Sequence, residues 1–380
     1  MNEGLAVICL GIWAYLLAGR GSFWRADALD AQLVAPVSPR PSVAIIVAAR
    51  NEEEFIAASV ESLLRQDYPG PFRIVLVDDD SDDKTASVAT RAGGGDSRLT
   101  ITSTLGPEPG WTGKLWALRQ GMASVENWKH DYVLFTDADI VHAPDTLSWL
   151  VSHASQGHYV LTSLMAKLRC RTLAERSLVP AFVYFFQMLF PFAWVCRPES
   201  NVAAAAGGCM LIRSDALAKV GGLESIRNEL IDDCSLAAKL KTVGPIWLGL
   251  TDRVHSMRPY ETFSDVGKMI SRSAYTQLRY SPSLLAATIV AMSITFIAPP
   301  YLALFATGWP RYLGLIVWLA MGFSFIPMLR FYRLSPLWSF TLPGIAAFYM
   351  YYTLISAYQH LRRRGGQWKG RVQVRAPGLQ

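Results

Sequence analysis

The sequence predicts an α/β fold, a doubly wound and mostly parallel sheet, carried between apolar helices at the two ends of the chain. Three observations lead there. Two continuously apolar runs, Val-Ala-Ile-Ile-Val-Ala-Ala at 43–49 and Ile-Val-Leu-Val at 74–77, have the make-up of strands buried on both faces, and a helical repeat separates them. Acidic clusters follow such runs, Asp78-Asp79-Asp80 after the second and Asp137-Ala138-Asp139 after Tyr132-Val133-Leu134-Phe135-Thr136. Ligands of doubly wound sheets sit at the carboxyl ends of the strands, so both clusters fall where a site belongs. Finally, residues 5–18 and 284–358 are almost free of charge, whereas 40–280 has the mixture of an ordinary globular domain.

That uneven distribution says more than the averages, 51% hydrophobic and 17% charged. It reads as a membrane protein with one water-facing domain at 40–280. Residues 5–18 are short for a span, which needs about 20 residues. Arg20 and Arg25 follow this run rather than precede it, and no small-residue cleavage site is evident. An uncleaved anchor at 1–25 is expected, with 40–280 on the cytoplasmic side. The net charge of +6 is concentrated beside apolar segments, notably at Arg362, Arg363, Arg364, Lys369, Arg371 and Arg375 in a basic tail at 359–380. Such residues read as anchors to anionic lipid, and no nucleic-acid partner is expected. The five cysteines, Cys9, Cys170, Cys196, Cys209 and Cys234, lack metal-ligand spacing and call for no disulfide.

The domain can be taken element by element. Pro36, Pro39 and Pro41 make a stiff linker over 30–41. Asn51 followed by Glu54 looks like a capping-box start to a helix through Ile56, Val60, Leu63 and Leu64, which Tyr68-Pro69-Gly70 stops. A helix from about 82 to 92 closes at Gly93-Gly94-Gly95. Gly110-Trp111-Thr112-Gly113-Lys114 precedes a helical stretch at 115–122; it suits an anionic group at a helix N-terminus, or is a loop with an incidental lysine. Pro144 and Asp145 open another helix, and 159–165 reads as a strand. Gly207-Gly208 turns into a strand, and the helix at 215–220 closes at Gly221-Gly222. Residues 178–196 are almost wholly apolar but hold Pro180 and Pro191; an amphipathic or re-entrant element on the membrane surface and core packing are both open. Three apolar segments follow at about 284–306, 312–329 and 337–358, the first kinked by Pro299-Pro300. Three crossings would put the basic tail outside, and an even number would keep it inside.

Two acidic pairs carry chemistry. Side chains at i and i+2 of an extended segment share a face, so Asp137 and Asp139 can converge on one spot. A hard cation, Mg²⁺ or Mn²⁺, bearing a diphosphate suits that spot; the alternative is that the acids end a strand and cap a helix. Asp232 and Asp233, within Glu229-Leu230-Ile231-Asp232-Asp233-Cys234-Ser235-Leu236, head a helix. A carboxylate there can act as a general base on a hydroxyl, or can serve only the helix dipole.

These motifs together resemble those of membrane-bound family 2 glycosyltransferases of the GT-A fold, and within them the hopene-associated glycosyltransferases of bacteria, relatives of ceramide glucosyltransferase. The resemblance runs over essentially the whole chain and is carried by VAARNEEE at 47–54, VDDDSDD at 77–83, GWTGKLWAL at 110–118, FTDAD at 135–139, GGCMLIR at 207–213, ELIDDCSL at 229–236 and RSAYTQLRYSP at 272–282. It implies a metal-dependent inverting enzyme that moves a sugar from a UDP- or GDP-sugar to a membrane lipid, in the bacterial inner membrane. It further implies that Ala49, Arg50 and Glu52 line the nucleotide pocket, that Asp78 and Asp79 contact base and ribose, and that Lys114 lies near the diphosphate. Asp137 and Asp139 match the DxD motif, with Asp139 the direct ligand, and Asp233 matches the catalytic base with Asp232 beside it. Gln277, Arg279 and Tyr280 fall where related enzymes carry Gln-x-x-Arg-Trp; here the spacing is Gln-x-Arg and tyrosine replaces tryptophan, which argues against a long-chain polysaccharide synthase. A polysaccharide synthase and an inactive scaffold of the same fold are the alternatives.

Overall fold

Every residue of β1 (Val43–Ala49) is buried, as an apolar run with neighbours on both edges and both faces must be. The computed structural model describes residues 2–27, 35, 37–362, 367–368 and 371–372. These form two compact units, a sheet unit built on 37–169 and 194–258 and a helical unit of 2–27, 170–193 and 259–362.

In the sheet unit β1 pairs in parallel with β2 (Phe72–Asp78) on one side and β4 (Tyr132–Asp137) on the other, and β3 (Leu99–Ser103) extends β2 in parallel. Beyond β4 the pattern turns mixed. β7 (Cys209–Arg213) runs antiparallel to both β4 and β6 (Leu161–Lys167), β6 lies parallel to β8 (Ile246–Ser256), and β5 (Ile140–His142) closes the edge antiparallel to β8. The order is β3-β2-β1-β4-β7-β6-β8-β5, so the chain reverses direction across the sheet between β1 and β4. That reversal opens a crevice at the strand carboxyl ends. The registers align those ends: Ala49 sits opposite Asp78, and Ala48 opposite Asp137.

The helix Gly113–Ser124 packs on β1 and β2. A Cβ at Gly121 would meet Ile46 Cγ2 at 2.4 Å and Val77 Cγ2 at 3.0 Å, so this glycine sets how closely helix and sheet approach. Gly121→Val is expected to destabilise the sheet unit by about 1–3 kcal/mol, measurable as a lower unfolding midpoint.

The helix after β1 does not start with a capping box at Asn51. It begins at Ile56, and the Phe55 N-cap supplies no side-chain hydrogen bond. Asn51 instead adopts a left-handed φ of 51° and its side-chain oxygen accepts from Asp82 N–H at 2.8 Å, because the neighbouring loop offers it a better partner than the helix. Capping boxes do occur at Thr172 with Glu175 and at Thr262 with Asp265.

Among the described residues four helical stretches are long and apolar enough to cross a membrane: Asn2–Gly19, Leu173–Val195, Pro282–Phe305 and Trp309–Phe331. The helix Leu173–Leu189 runs unbroken through Pro180. It links β6 to β7, which are hydrogen-bonded neighbours in one sheet. The last apolar segment becomes a 3₁₀ stretch, Pro336–Thr341, followed by the helix Leu342–Leu361. Polar pins tie the unit together: Tyr184 Oη and Ser324 Oγ lie 2.6 Å apart, and Tyr349 Oη donates to Leu178 O at 3.0 Å. Of the basic tail, Arg363, Arg364, Lys369 and Arg375 lie outside the described residues, as do 28–34 and Pro36 of the linker; Arg371 falls in a short antiparallel hairpin with 367–368.

Candidate active site

Three loops leave the aligned ends of β1, β2 and β4, and two of them are laced together. Arg50 is 7% exposed and its Nη1 donates to the carbonyls of Asp79 and Asp80 at 2.5 Å each. Asn51 N–H donates to Ser81 Oγ, which donates in turn to Asp78 Oδ1, and Asp79 N–H donates to the Ala49 carbonyl. Glu52 N–H donates to Thr85 Oγ1 at 2.8 Å. The run of acids at 78–83 is therefore consumed largely in holding the β1 and β2 loops against each other. Of the residues expected at the nucleotide, Ala49 and Asp79 are both 0% exposed. Asp78 and Arg50 keep a sliver of surface, and Glu52 is engaged elsewhere.

A second cluster forms where β4 ends. Asp137 is the last residue of its strand, and 138–139 already turn toward β5, so the two acids do not lie on one extended segment. Each acquires its own cation. Lys114, in the first turn of the helix Gly113–Ser124, reaches Asp137 Oδ1 at 2.9 Å and Asp232 Oδ2 at 3.4 Å. Asp139, 7% exposed, accepts from Ser256 Oγ at 2.7 Å and lies 3.3 Å from Arg258 Nε, both through Oδ2. The Arg258 fork closes on Glu52 Oε1 at 2.5 Å. Asp137 and Asp139 thus sit on one turn and answer to different partners.

Asp232 and Asp233 open the helix Asp232–Leu240. Asp233 Oδ2 accepts from Gly207 N–H at 2.9 Å and Oδ1 from Cys234 N–H at 2.7 Å. Burial and the charge of Asp232 push the Asp233 carboxyl up to about 6, against the opposing pull of Lys114 and the two backbone N–H groups. Burial disfavours the charge on Lys114, yet Asp137, Asp232 and Asp233 outweigh it and hold its pKa above that of ordinary lysine. A Cβ at residue 207 would stand 3.2 Å from Lys114 Nζ and 3.3 Å from Asp233 Oδ2. Gly207 therefore serves by leaving space between an ammonium and a carboxylate, not by a special backbone angle.

Sequence reasoning missed Ser256 and Arg258. Ser256 ends β8 and Arg258 follows two residues later; the polar stretch Thr251-Asp252-Arg253 hid the strand, and no motif spacing marks either residue. Replacing Arg258 with methionine leaves Asp139 and Glu52 without their shared cation and is expected to lower activity by about 10²-fold, the scale for one charged group in a preorganised site; a rate within twofold of wild type would refute the role.

The site can be tested for a divalent cation by its donor chemistry. Five carboxylates, Asp137, Asp139, Asp232, Asp233 and Glu52, are set against two cations, Lys114 and Arg258. Such a cluster repels a bare diphosphate and favours a divalent ion that brings one. Among the described residues Asp137 Oδ2 and Asp139 Oδ1 have no protein partner, and no group of three His, Cys, Asp or Glu forms a closed cage. Mg²⁺ and Mn²⁺ are commonly held by one or two carboxylates plus substrate phosphates, so the residues fit.

Gln277, Arg279 and Tyr280 belong to the helical unit. Gln277 and Arg279 are exposed, while the Tyr280 ring stacks on His360 at 4.2 Å and its hydroxyl accepts from Thr276 Oγ1. Arg279 and Tyr280 both take left-handed φ values, 51° and 56°, and Tyr275 Oη holds the turn by donating to the Tyr280 carbonyl at 2.8 Å.

With the geometry in place, comparison with known proteins decides the family. The sequence model described as glycosyltransferase like family 2 matches residues 39–249, more than half of the chain. The chain belongs to this family. As a family 2 member it is 36% identical over 115 residues to an N-acetylglucosaminyltransferase of Rhizobium leguminosarum bv. viciae, covering 30% of this chain and 25% of that protein. It is 29% identical over 142 residues to an undecaprenyl-phosphate 4-deoxy-4-formamido-L-arabinose transferase of Pectobacterium atrosepticum, covering 36% and 42%. The matched part thus spans between a quarter and about two fifths of these curated relatives. Among solved structures, the mannosyltransferase PcManGT of Pyrobaculum calidifontis, in complex with GDP-Man and Mn²⁺, superposes with a TM-score of 0.55 at 18% identity, covering 95% of this chain and 99% of that one. At that identity the likeness speaks for the fold, and the GT-A-like α/β architecture expected from the sequence is the one found.

Proposed function

We propose that this glycosyltransferase is an inverting enzyme that moves a sugar from a UDP- or GDP-sugar to the hydroxyl of a membrane lipid. The observation that carries the reading is Asp233, a carboxylate held by two backbone N–H groups, 3.3 Å from the Cβ position that Gly207 leaves empty, with a raised pKa. Such a group is poised as a base near neutral pH. Asp233 takes the proton of the acceptor hydroxyl while the oxygen bonds to the anomeric carbon from the face opposite the nucleotide. The bond to the diphosphate breaks, and the nucleoside diphosphate carries away the electron pair. Lys114 keeps positive charge beside that carboxylate and fixes Asp137. Asp137 and Asp139 would hold Mg²⁺ or Mn²⁺, which supplies Lewis-acid stabilisation of the leaving charge when bound.

The lipid acceptor is supported by the apolar helices and by relatives named for transfer to undecaprenyl-phosphate. The motif resemblance favours a hopanoid as that lipid. Arg20 and Arg25 after the first helix favour the sheet unit facing the cytoplasm of a bacterial inner membrane. A membrane polysaccharide synthase is the second reading, favoured by the N-acetylglucosaminyltransferase relative. The test is purified protein in detergent with a panel of UDP- and GDP-sugars, extracted lipid and Mn²⁺ or Mg²⁺. Metal-dependent nucleotide release and a lipid one sugar heavier are expected; a polymer would favour the synthase, and donor binding without turnover on any lipid would favour the scaffold. Removing the metal with a chelator, or Asp139→Ala, is expected to abolish release.

The rate should depend on pH through Asp233. The base works as carboxylate, and its pKa is raised, so transfer rises as pH climbs through about 6 and levels off above it. A profile already flat between pH 4.5 and pH 7, roughly one and a half units below to one above, would remove Asp233 from that role.

A further inference from the structure

Helix ends in the helical unit share one rim. Arg20, just past the stretch Asn2–Gly19, donates from Nε to Met188 O and from Nη2 to Leu189 O, at 3.1 Å each, and so satisfies open carbonyls at the end of Leu173–Leu189. Four residues on, Trp24 donates from Nε1 to Leu17 O at 3.1 Å, and its ring packs against Phe323 of the helix Trp309–Phe331 at 5.8 Å. Between this segment and the last turn of Trp309–Phe331 lies a cavity of about 480 Å³. Its walls carry Trp24, Arg25 and Asp27 from one side and Pro327, Arg330 and Phe331 from the other.

The chemistry of these walls is specific. Two guanidinium groups line one cavity, and among the described residues neither has a carboxylate partner; Arg25 has only the face of Trp24, at 5.6 Å. Asp27 lines the same space, and among the described residues no ion pair joins it to either. The lining thus carries one net positive charge, enough for one phosphodiester and too little for a polyanion. Tryptophan and phenylalanine beside arginine, where apolar helices end, are the composition of a membrane interface. Guanidinium forks match phosphate oxygens in geometry, and aromatic rings suit glycerol and the first acyl carbons.

We propose that this cavity binds the phosphodiester headgroup of one membrane glycerophospholipid, with Arg25 and Arg330 on the phosphate and Trp24 and Phe331 against the glycerol and upper acyl chain. The site rests on reading the helices as membrane elements and stands apart from sugar transfer. It would seat the first helix against Trp309–Phe331 through a lipid that both hold.

The test is native mass spectrometry of the full chain, delipidated in detergent and titrated with dioleoylphosphatidylglycerol, with dioleoylglycerol, and with inorganic phosphate as competitor. One phosphatidylglycerol is expected to bind saturably, and dioleoylglycerol to bind far more weakly. Each arginine is expected to contribute on the order of fivefold in affinity, so Arg25→Gln with Arg330→Gln weakens binding by roughly 25-fold. Arg311→Gln, at the other end of the same helix, should leave it unchanged. If the double glutamine variant unfolds, Arg25→Lys with Arg330→Lys keeps the charge and loses the forks, and an intermediate affinity is expected. Equal binding of dioleoylglycerol, or an unaffected arginine variant, overturns the proposal. Displacement of the lipid by millimolar phosphate reassigns the pair to a free anion and overturns it too. Because the readout is lipid mass, a failed sugar-transfer assay leaves this result untouched.

Discussion

Asp233→Asn is expected to lower sugar transfer by about 10²–10⁴-fold while donor affinity stays near that of wild type. Asparagine keeps one oxygen to accept from Gly207 N–H or Cys234 N–H, so the start of the helix Asp232–Leu240 should survive the change. What it lacks is a basic oxygen to take the acceptor proton. Asp232→Asn is the necessary companion. Asp232 reaches Lys114 at 3.4 Å and receives none of the backbone donors that fix its neighbour, so its loss should weaken the cluster by a smaller factor. If Asp232→Asn abolishes transfer and Asp233→Asn does not, the base is Asp232.

Lys114→Met is expected to cost about 10²–10³ in kcat, the scale for one preorganised charge. The sign of a second effect can be worked out. Lys114 pulls the Asp233 pKa down, against burial and Asp232. Without it the carboxyl is held in its neutral form to higher pH, so the acidic limb of the rate profile should move above 6. Measured as kcat against pH, such a move ties Lys114 to the base. A lower rate with an unmoved limb would assign Lys114 to the diphosphate alone, as the sequence suggested. No change in either would exclude it from the chemistry.

The buried parallel strands were legible because an apolar run of 43–49 or 74–77 has only one comfortable place, inside a sheet covered on both faces. The acids at strand ends were legible for the same reason, since polarity returns where the sheet stops. The capping box at Asn51 was misread because a local pattern was judged without the Asp82 loop that competes for the same side chain. The pairing of Asp137 and Asp139 was read from an extended backbone, and the turn at 138–139 gave each a different cation. Arg258 had no legible signal, since 118 intervening residues must fold to bring it to Asp139 at 3.3 Å.

Sequence alone thus determined the class of fold and that acidic clusters lie where the strands end. These follow from local pattern, and hydrophobic burial enforces local pattern strongly. Tertiary structure decided which cation answers which acid and that Ala49 and Asp79 are buried. Each of these depends on partners distant along the chain. Electrostatic pairing falls off with distance in space and takes no account of distance in sequence, so only the folded chain can select the partners.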